Sequence, residues 1–310
     1  MADRIQAGPG LSGGPVGPAL ALVFNAFVWG VSWWPFRQLQ AYGLHPLWAT
    51  AGVYVFSLAC LLASRPPALR QAVAHPALCW LALSAGLTNV GFNWAVTTGD
   101  VVRVVLLFYL MPAWSVLLAW GMLGERPTGA SLLRLLLALA GVLVVLDTGG
   151  AGLPLPASLP DWLALMGGFT FALTNILLRR LREVPAPARV LAMFGGGTVM
   201  AVLTALLGMS LGVATAPQFQ AGALPYAIGL ALAFLLGNVA LQFGASRLAA
   251  HATALIMLSE VVFASATSVW LGASETGPRT WAGGALILLA AAWSAWPAGA
   301  GRQRIARVSP

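Results

Sequence analysis

Lysine is missing from all 310 residues. That removes both a phosphate-cradling lysine and a Schiff-base lysine. Charge of either sign is scarce: charged residues make up 8% of the chain, where soluble domains carry roughly 25%. The two cysteines, Cys60 and Cys79, lie in apolar stretches and are expected to be reduced, packed thiols rather than a disulfide framework. His45, His75 and His251 stand at segment ends, too scattered for a metal site. With no His/Cys cluster and no paired-carboxylate motif, no metal or cofactor is expected, and neither a nucleotide motor nor an intramembrane enzyme is supported.

What remains is apolar. Hydrophobic residues account for 59% of the chain, more than a soluble fold of this length can hide, so the chain belongs in a lipid bilayer. The net charge of +8 is carried entirely by arginine. In a soluble domain it would suggest nucleic acid. Here the arginines fall between apolar segments, where they set orientation, and no nucleic-acid partner is expected.

Apolar segments run at 18–38, 45–64, 75–97, 100–122, 130–147, 161–181, 187–212, 223–243, 250–272 and 278–298. Each approaches the roughly 20 residues that a membrane-crossing helix needs. The expected fold is all-α and integral to the membrane, with ten transmembrane helices. Residues 1–17 read as a disordered lead-in, 18–147 as one five-helix unit, 148–160 as a linker, 161–298 as a second unit and 299–310 as a basic tail. With the N-terminus cytoplasmic, the inner loops hold Arg4, Arg65, Arg70, Arg126, Arg179, Arg180, Arg182, Arg189, Arg247, Arg302, Arg304 and Arg307, against Arg37, Arg103 and Arg279 outside. This excess predicts both termini on the cytoplasmic side and the linker outside.

The stretch Thr88-Asn89-Val90-Gly91-Phe92-Asn93-Trp94-Ala95-Val96-Thr97 is echoed by Gly237-Asn238-Val239-Ala240-Leu241-Gln242-Phe243-Gly244-Ala245-Ser246. Asn89, Asn93 and Thr97 correspond to Asn238, Gln242 and Ser246 at one offset, each set spaced four apart along one helix face. An uncharged amide in hydrocarbon costs a few kcal/mol unless it is paired or wetted, so these amides are expected to face a shared central cavity. The echo continues: Trp29 aligns with Phe171, Ser32 with Thr174 and Arg37 with Arg179. An odd number of spans per copy inverts the second copy, the plan of many secondary transporters, whose substrate site lies at the repeat interface.

Asn25 and Trp29 lie deep in the first segment and are candidates for the cavity wall or for packing. In the fourth, Pro112 frees the Phe108 carbonyl. Tyr109, Pro112 and the glycine of the echoed stretch, Gly91, are candidate wall and hinge residues. Glu260 sits near the membrane midplane, where a carboxylate costs about 3 kcal/mol or more. It is expected to face the interior, either for proton coupling or substrate-amine recognition, or as a hydrogen-bonded structural group.

Asn25-x-x-x-Trp29-Gly30-Val31-Ser32, Tyr109-Leu110-Met111-Pro112, Gly124-Glu125-Arg126 and Gly141-Val142 occur in this order. On these motifs the chain resembles the drug/metabolite transporter superfamily of the EamA-repeat type, and within it the aromatic amino-acid exporters. The second copy departs from the pattern, with Phe171-Ala172 in place of Trp-Gly and no proline near Val261. The resemblance implies a monomeric bundle in a bacterial inner membrane that exports amino acids and related metabolites without ATP hydrolysis. Asn25, Trp29, Asn89, Asn93, Tyr109, Asn238, Gln242 and Glu260 would line its cavity. A nucleotide-sugar or phosphate-ester carrier is the alternative, and would want buried cations facing the cavity. A cysteine placed at Ala157 is expected to label from outside the cell and one beside Arg182 is not; the opposite pattern would invert the topology.

Overall fold

The structure, a computed structural model, describes residues 16–147, 155–218, 220–245, 247–248, 250–274 and 276–295. Most of the expected lead-in 1–17, most of the linker 148–160, the tail 299–310 and Ser246 lie outside the described residues. The chain is all-helical there: α1 Val16–Val31, α2 Trp33–Ala41, α3 Pro46–Ser64, α4 Pro67–Val73, α5 Leu78–Thr98, α6 Val101–Phe108, α7 Met111–Leu123, α8 Gly129–Leu146, α9 Leu159–Arg180, α10 Ala186–Ser210, α11 Leu224–Ala245, α12 Ala250–Met257, α13 Ser259–Trp270 and α14 Pro278–Ala295.

Among the described residues, seven helices are long and apolar enough to cross a membrane, or eight if α4 and α5, bent by 109°, count as one span. The expected ten is therefore not reached on length and composition, for three physical reasons. Asn89 and Asn93 dilute α5, which passes only together with α4. The ninth expected segment is cut at Leu258 into α12 and α13. The tenth, α14, begins with Pro278 and Arg279. The first expected segment also continues further than read, with a one-residue interruption at Ser32 before α2.

The termini follow local rules. Ser158 and Asp161 form a reciprocal capping box at the start of α9. Asp100 caps α6 through the Arg103 amide, and Thr128 caps α8 through the Ser131 amide. Gly124 ends α7 at φ 71°, a left-handed conformation that glycine adopts without a Cβ penalty.

In lipid no water drives helices together, so close packing and interhelical hydrogen bonds must do it. The helices pair across the two parts of the sequence: α1 packs on α11 and α13, α9 on α5, α6 and α7, α3 on α10, and α8 on α14. Small residues mark the crossings. A Cβ on Gly141 would lie 2.7 Å from the Gly283 carbonyl, and one on Gly283 would lie 2.6 Å from the Gly141 carbonyl. A Cβ on Gly196 would collide with the Ala82 backbone. Hydroxyls supply the polar contacts: Ser84 bonds Thr174, and Thr88 donates to Thr170 at 2.9 Å, tying α5 to α9.

These contacts fix the two ends of the bundle. Ser84 meets Thr174 while Gly91 meets Leu163, so α5 and α9 run antiparallel. One end holds Arg37 against the Gly99 and Ala273 carbonyls, and Arg103 against Asp161. The opposite, arginine-rich end holds Glu125 and Arg179. Replacing Gly196 by Val is expected to cost about 1–3 kcal/mol through overpacking, read as a lower melting temperature in detergent. Gly195→Val is the control, since a Cβ there meets nothing within 4 Å.

Candidate functional site

At mid-height the bundle is crossed by a chain of aromatic contacts. Trp29 stacks on Phe234 with ring centroids 4.5 Å apart and meets Phe92 edge-on at 6.2 Å. Phe92 meets Phe108 at 4.8 Å, and Phe108 meets Phe171 at 5.5 Å. Tyr54 joins from α3, 6.2 Å from Phe234. These rings come from α1, α3, α5, α6, α9 and α11, so this layer is where both parts of the sequence converge. Only Trp29 of this set was expected from the sequence. The phenylalanines carry no polar signal that would mark them among so many apolar residues.

One turn toward the arginine-rich end, amides follow the rings. Asn89 lies three residues before Phe92, Asn238 four after Phe234, and Asn175 four after Phe171. Asn89 is half-buried; it accepts from the Tyr54 hydroxyl at 2.5 Å and donates to the Ala85 carbonyl at 2.9 Å. Asn238 is half-buried and accepts from Gln242 at 2.6 Å. At this end an open cleft of about 700 Å³ is bordered by Leu123, Glu125, Asn175, Leu178, Arg179 and Arg182. None of the eight residues expected to line a cavity borders it. The α9 face that does, with Asn175 and Arg179 four apart, was not singled out from the sequence, because arginines there read as loop charge.

The opposite end is bridged by arginine contacts. Arg103 grips Asp161 with two hydrogen bonds, 2.8 and 3.1 Å, and donates a third to the Val145 carbonyl at 2.8 Å. The Asp161 side chain is 3% exposed, so the pair is largely desolvated, and removing one partner would strand a buried charge. Arg37 donates to the Gly99 carbonyl at 2.6 Å and reaches the Ala273 carbonyl at 3.5 Å, over the Trp33 ring. Trp33 in turn donates to Thr267 at 3.1 Å. Asp161, not singled out from the sequence, both caps α9 and binds Arg103.

The remaining candidates fall in different places. Asn93 is fully buried, donates to Thr50 at 3.3 Å and leaves its oxygen without a partner among the described residues. Its counterpart Gln242 is exposed. Asn25 is buried, its amide nitrogen 3.5 Å from the Met257 sulfur and its oxygen also without a described partner. Tyr109 and Glu260, expected beside a substrate, are both buried and turned toward each other: the Tyr109 hydroxyl lies 3.2 Å from Glu260 Oε2 and 3.2 Å from the Met257 carbonyl. Tyr109 serves a helix break, since freed backbone in lipid must be satisfied within the protein. Pro112 follows that break, at the start of α7. Gly91, by contrast, lies in an unbroken stretch of α5, and its missing Cβ lets α9 approach at Leu163 and Gly167.

The two exposed ion pairs near the cleft, Arg179 with Glu125 at 2.5 Å and Arg182 with Glu183 at 3.1 Å, are solvated at both partners and contribute little to stability. Among the described residues, no group of three or more His, Cys, Asp and Glu side chains could hold a metal ion.

Comparison with known proteins gives this arrangement a context. Residues 17–147 match the EamA-like transporter family. The chain is 30% identical over 277 residues to the "Probable terminal-alkyne amino-acid exporter" of Streptantibioticus cattleyicolor, covering 86% of this chain and 89% of that protein. A solved crystal structure, 19% identical, superposes with a TM-score of 0.58 over 90% of this chain and 96% of its own, which shows a shared fold. The all-helical bundle thus carries a transporter's sequence, and the chain belongs to the EamA-like transporter family.

Proposed function

We propose that the chain exports neutral and aromatic amino acids and related metabolites by alternating access. In this reading it spans a bacterial inner membrane as a monomer of two inverted five-span units, 18–147 and 161–298, with ten spans in all. Both termini and the arginine-rich end face the cytoplasm, and the structure is the state open to that side.

One observation carries the reading: residues that the internal repeat equates have opposite surroundings. Arg37 is held by two backbone carbonyls at the sealed end, while its counterpart Arg179 stands exposed at the cleft. Asn93 is buried, while its counterpart Gln242 is exposed. Inverted copies put equivalent residues at opposite ends of the bundle. Exchanging the two environments would then produce the outward-open state from the same contacts. The pairing of helices supports this, since α1 with α11 and α13 mirrors α9 with α5, α6 and α7.

The substrate's apolar side chain would rest on the Trp29, Phe92 and Phe234 layer, and its ammonium and carboxylate would bond Asn89 and Asn238 from the open side. A relative named as an amino-acid exporter supports that substrate class. The geometry disfavours a phosphate-ester or nucleotide-sugar carrier. Arg37, Arg103 and Arg134 are engaged with protein groups, and the cleft arginines Arg179 and Arg182 are each paired with a glutamate.

In proteoliposomes, counterflow of labelled phenylalanine is expected to saturate. Asn89→Ala and Asn238→Ala are each expected to lower it about tenfold, the value of one lost hydrogen bond to a charged group. Flux of sugar nucleotides alone, or amino-acid flux indifferent to both substitutions, would overturn the assignment. Arg103→Ala, which breaks the sealed end, is expected to raise labelling of a cysteine at Val96 from the Asp161 side severalfold; unchanged labelling would remove Arg103 from the seal.

A further inference from the structure

Two spans break, and the breaks meet. The first interruption is at Tyr109 and Leu110, between α6 and α7, and the second at Leu258, between α12 and α13. Tyr109 and Leu258 are separated by the same offset that relates Asn89 to Asn238, although only the first break has a proline. Each interruption frees backbone carbonyls that hydrocarbon cannot solvate. The Phe108 carbonyl is covered by α9 at Gly168, where a Cβ would come within 2.5 Å of it. The Met257 carbonyl is reached by the Tyr109 hydroxyl. Glu260, in the first turn of α13, brings its carboxyl to that same hydroxyl.

We propose that Glu260, with Tyr109 as its hydrogen-bond partner, is the proton site that couples export to proton entry. The proposal rests on the transport reading above and deepens it. Its basis is a count of hydrogens. The Tyr109 hydroxyl has one proton and two acceptors at 3.2 Å. With Glu260 protonated, the carboxyl donates to the Tyr109 oxygen, Tyr109 donates to the Met257 carbonyl, and every group is satisfied. With Glu260 ionised, Tyr109 must turn to the carboxylate. The Met257 carbonyl then loses its donor and the joint between the two broken spans loosens.

Among the described residues, no cation compensates the ionised form. α1 and α7 carry no titratable side chain. On α6 the charged residue is Arg103, at the far end and committed to Asp161. Arg134 of α8 borders a narrow crevice whose other wall includes Tyr109 and Pro112, but its guanidinium is bound to the Trp293 carbonyl and Ser131. Arg279 of α14 pairs with Asp147. The side chain of His251, on α12, lies outside the described residues. Among described residues Glu260 makes no ion pair, so its charged form needs water, and only a conformation that opens the joint admits it.

A second observation marks the same place. The Asn25 oxygen, on a side chain 1% exposed, and the Ser259 hydroxyl beside Glu260 both lack a described partner. Asn25 is held against the break by its contact to the Met257 sulfur. Three elements thus offer polar atoms at one apolar depth, as a site that exchanges a proton with transient water requires. The step is a simple exchange: one proton binds a Glu260 oxygen from the outer side and leaves to the inner side as one amino acid moves out.

The test uses the full chain in proteoliposomes with the membrane potential clamped at zero. For one proton per substrate, a one-unit pH gradient is expected to sustain about a tenfold phenylalanine gradient in the wild type, with substrate-driven proton movement reported by an entrapped pH dye. Glu260→Gln is expected to abolish both the accumulation and the dye signal in a protein that keeps the wild-type melting temperature; Glu260→Asp is expected to restore the gradient response. Accumulation that survives in Glu260→Gln overturns the proposal. So does loss of counterflow in a Glu260→Gln protein with wild-type melting temperature, which would assign Glu260 to the substrate. Wild-type amino-acid flux that ignores pH overturns the coupling alone, whereas absence of any amino-acid flux overturns the transport reading with it.

Discussion

Inside a bilayer a backbone carbonyl released from its helix has no solvent to turn to, and this protein releases carbonyls in two spans. The contact of Tyr109 with Met257 and Glu260 answers that constraint. It joins α6 and α7 to α12 and α13 where neither span is regular, so the breaks become one joint rather than two defects. Much else follows from that placement. α1 and α9, which flank the joint, must approach closely enough to seal it. Gly30 and Gly168 allow this, because a side chain at either would strike the Glu260 or Phe108 backbone.

Around the joint, stability and mobility are divided by chemistry. The α5 to α9 contact is sewn by four hydroxyls: Ser84, Thr88 and Thr170 also bond backbone carbonyls, and Thr174 pairs with Ser84. The sealed end is built differently. Arg103 with Asp161 is a two-pronged, desolvated pair that is either made or lost. At the cleft end the described pairs, Arg179 with Glu125 and Arg182 with Glu183, are exposed. In the proposed alternating-access reading, a strong discrete latch at one end and weak solvated contacts at the other would let the bundle exchange two states.

The aromatic layer links this mechanics to recognition. Six rings from six helices leave little polar surface at mid-height, and the half-buried amides of Asn89 and Asn238 begin one turn below. In the proposed function, a substrate's apolar end would meet the rings and its charged end the amides. The same arrangement raises a barrier to ions, which would have to shed water against rings alone.

Composition by itself determined the solvent. A chain 59% apolar and 8% charged has no other stable environment, and the spacing of its arginines and the echo of Asn89 in Asn238 were legible as pattern. That is as far as one-dimensional information reaches, because periodicity records which residues share a face and is silent on what the face meets. Asn93 and Gln242 are equivalent in the pattern, yet one is sealed in and the other exposed; only the packed state of each end separates them. The break at Leu258 has no proline to announce it, and the partnership of Arg103 with Asp161 spans 58 residues. Tertiary structure decided these, since a helix interruption or a buried ion pair is stable only where distant segments arrive to satisfy it.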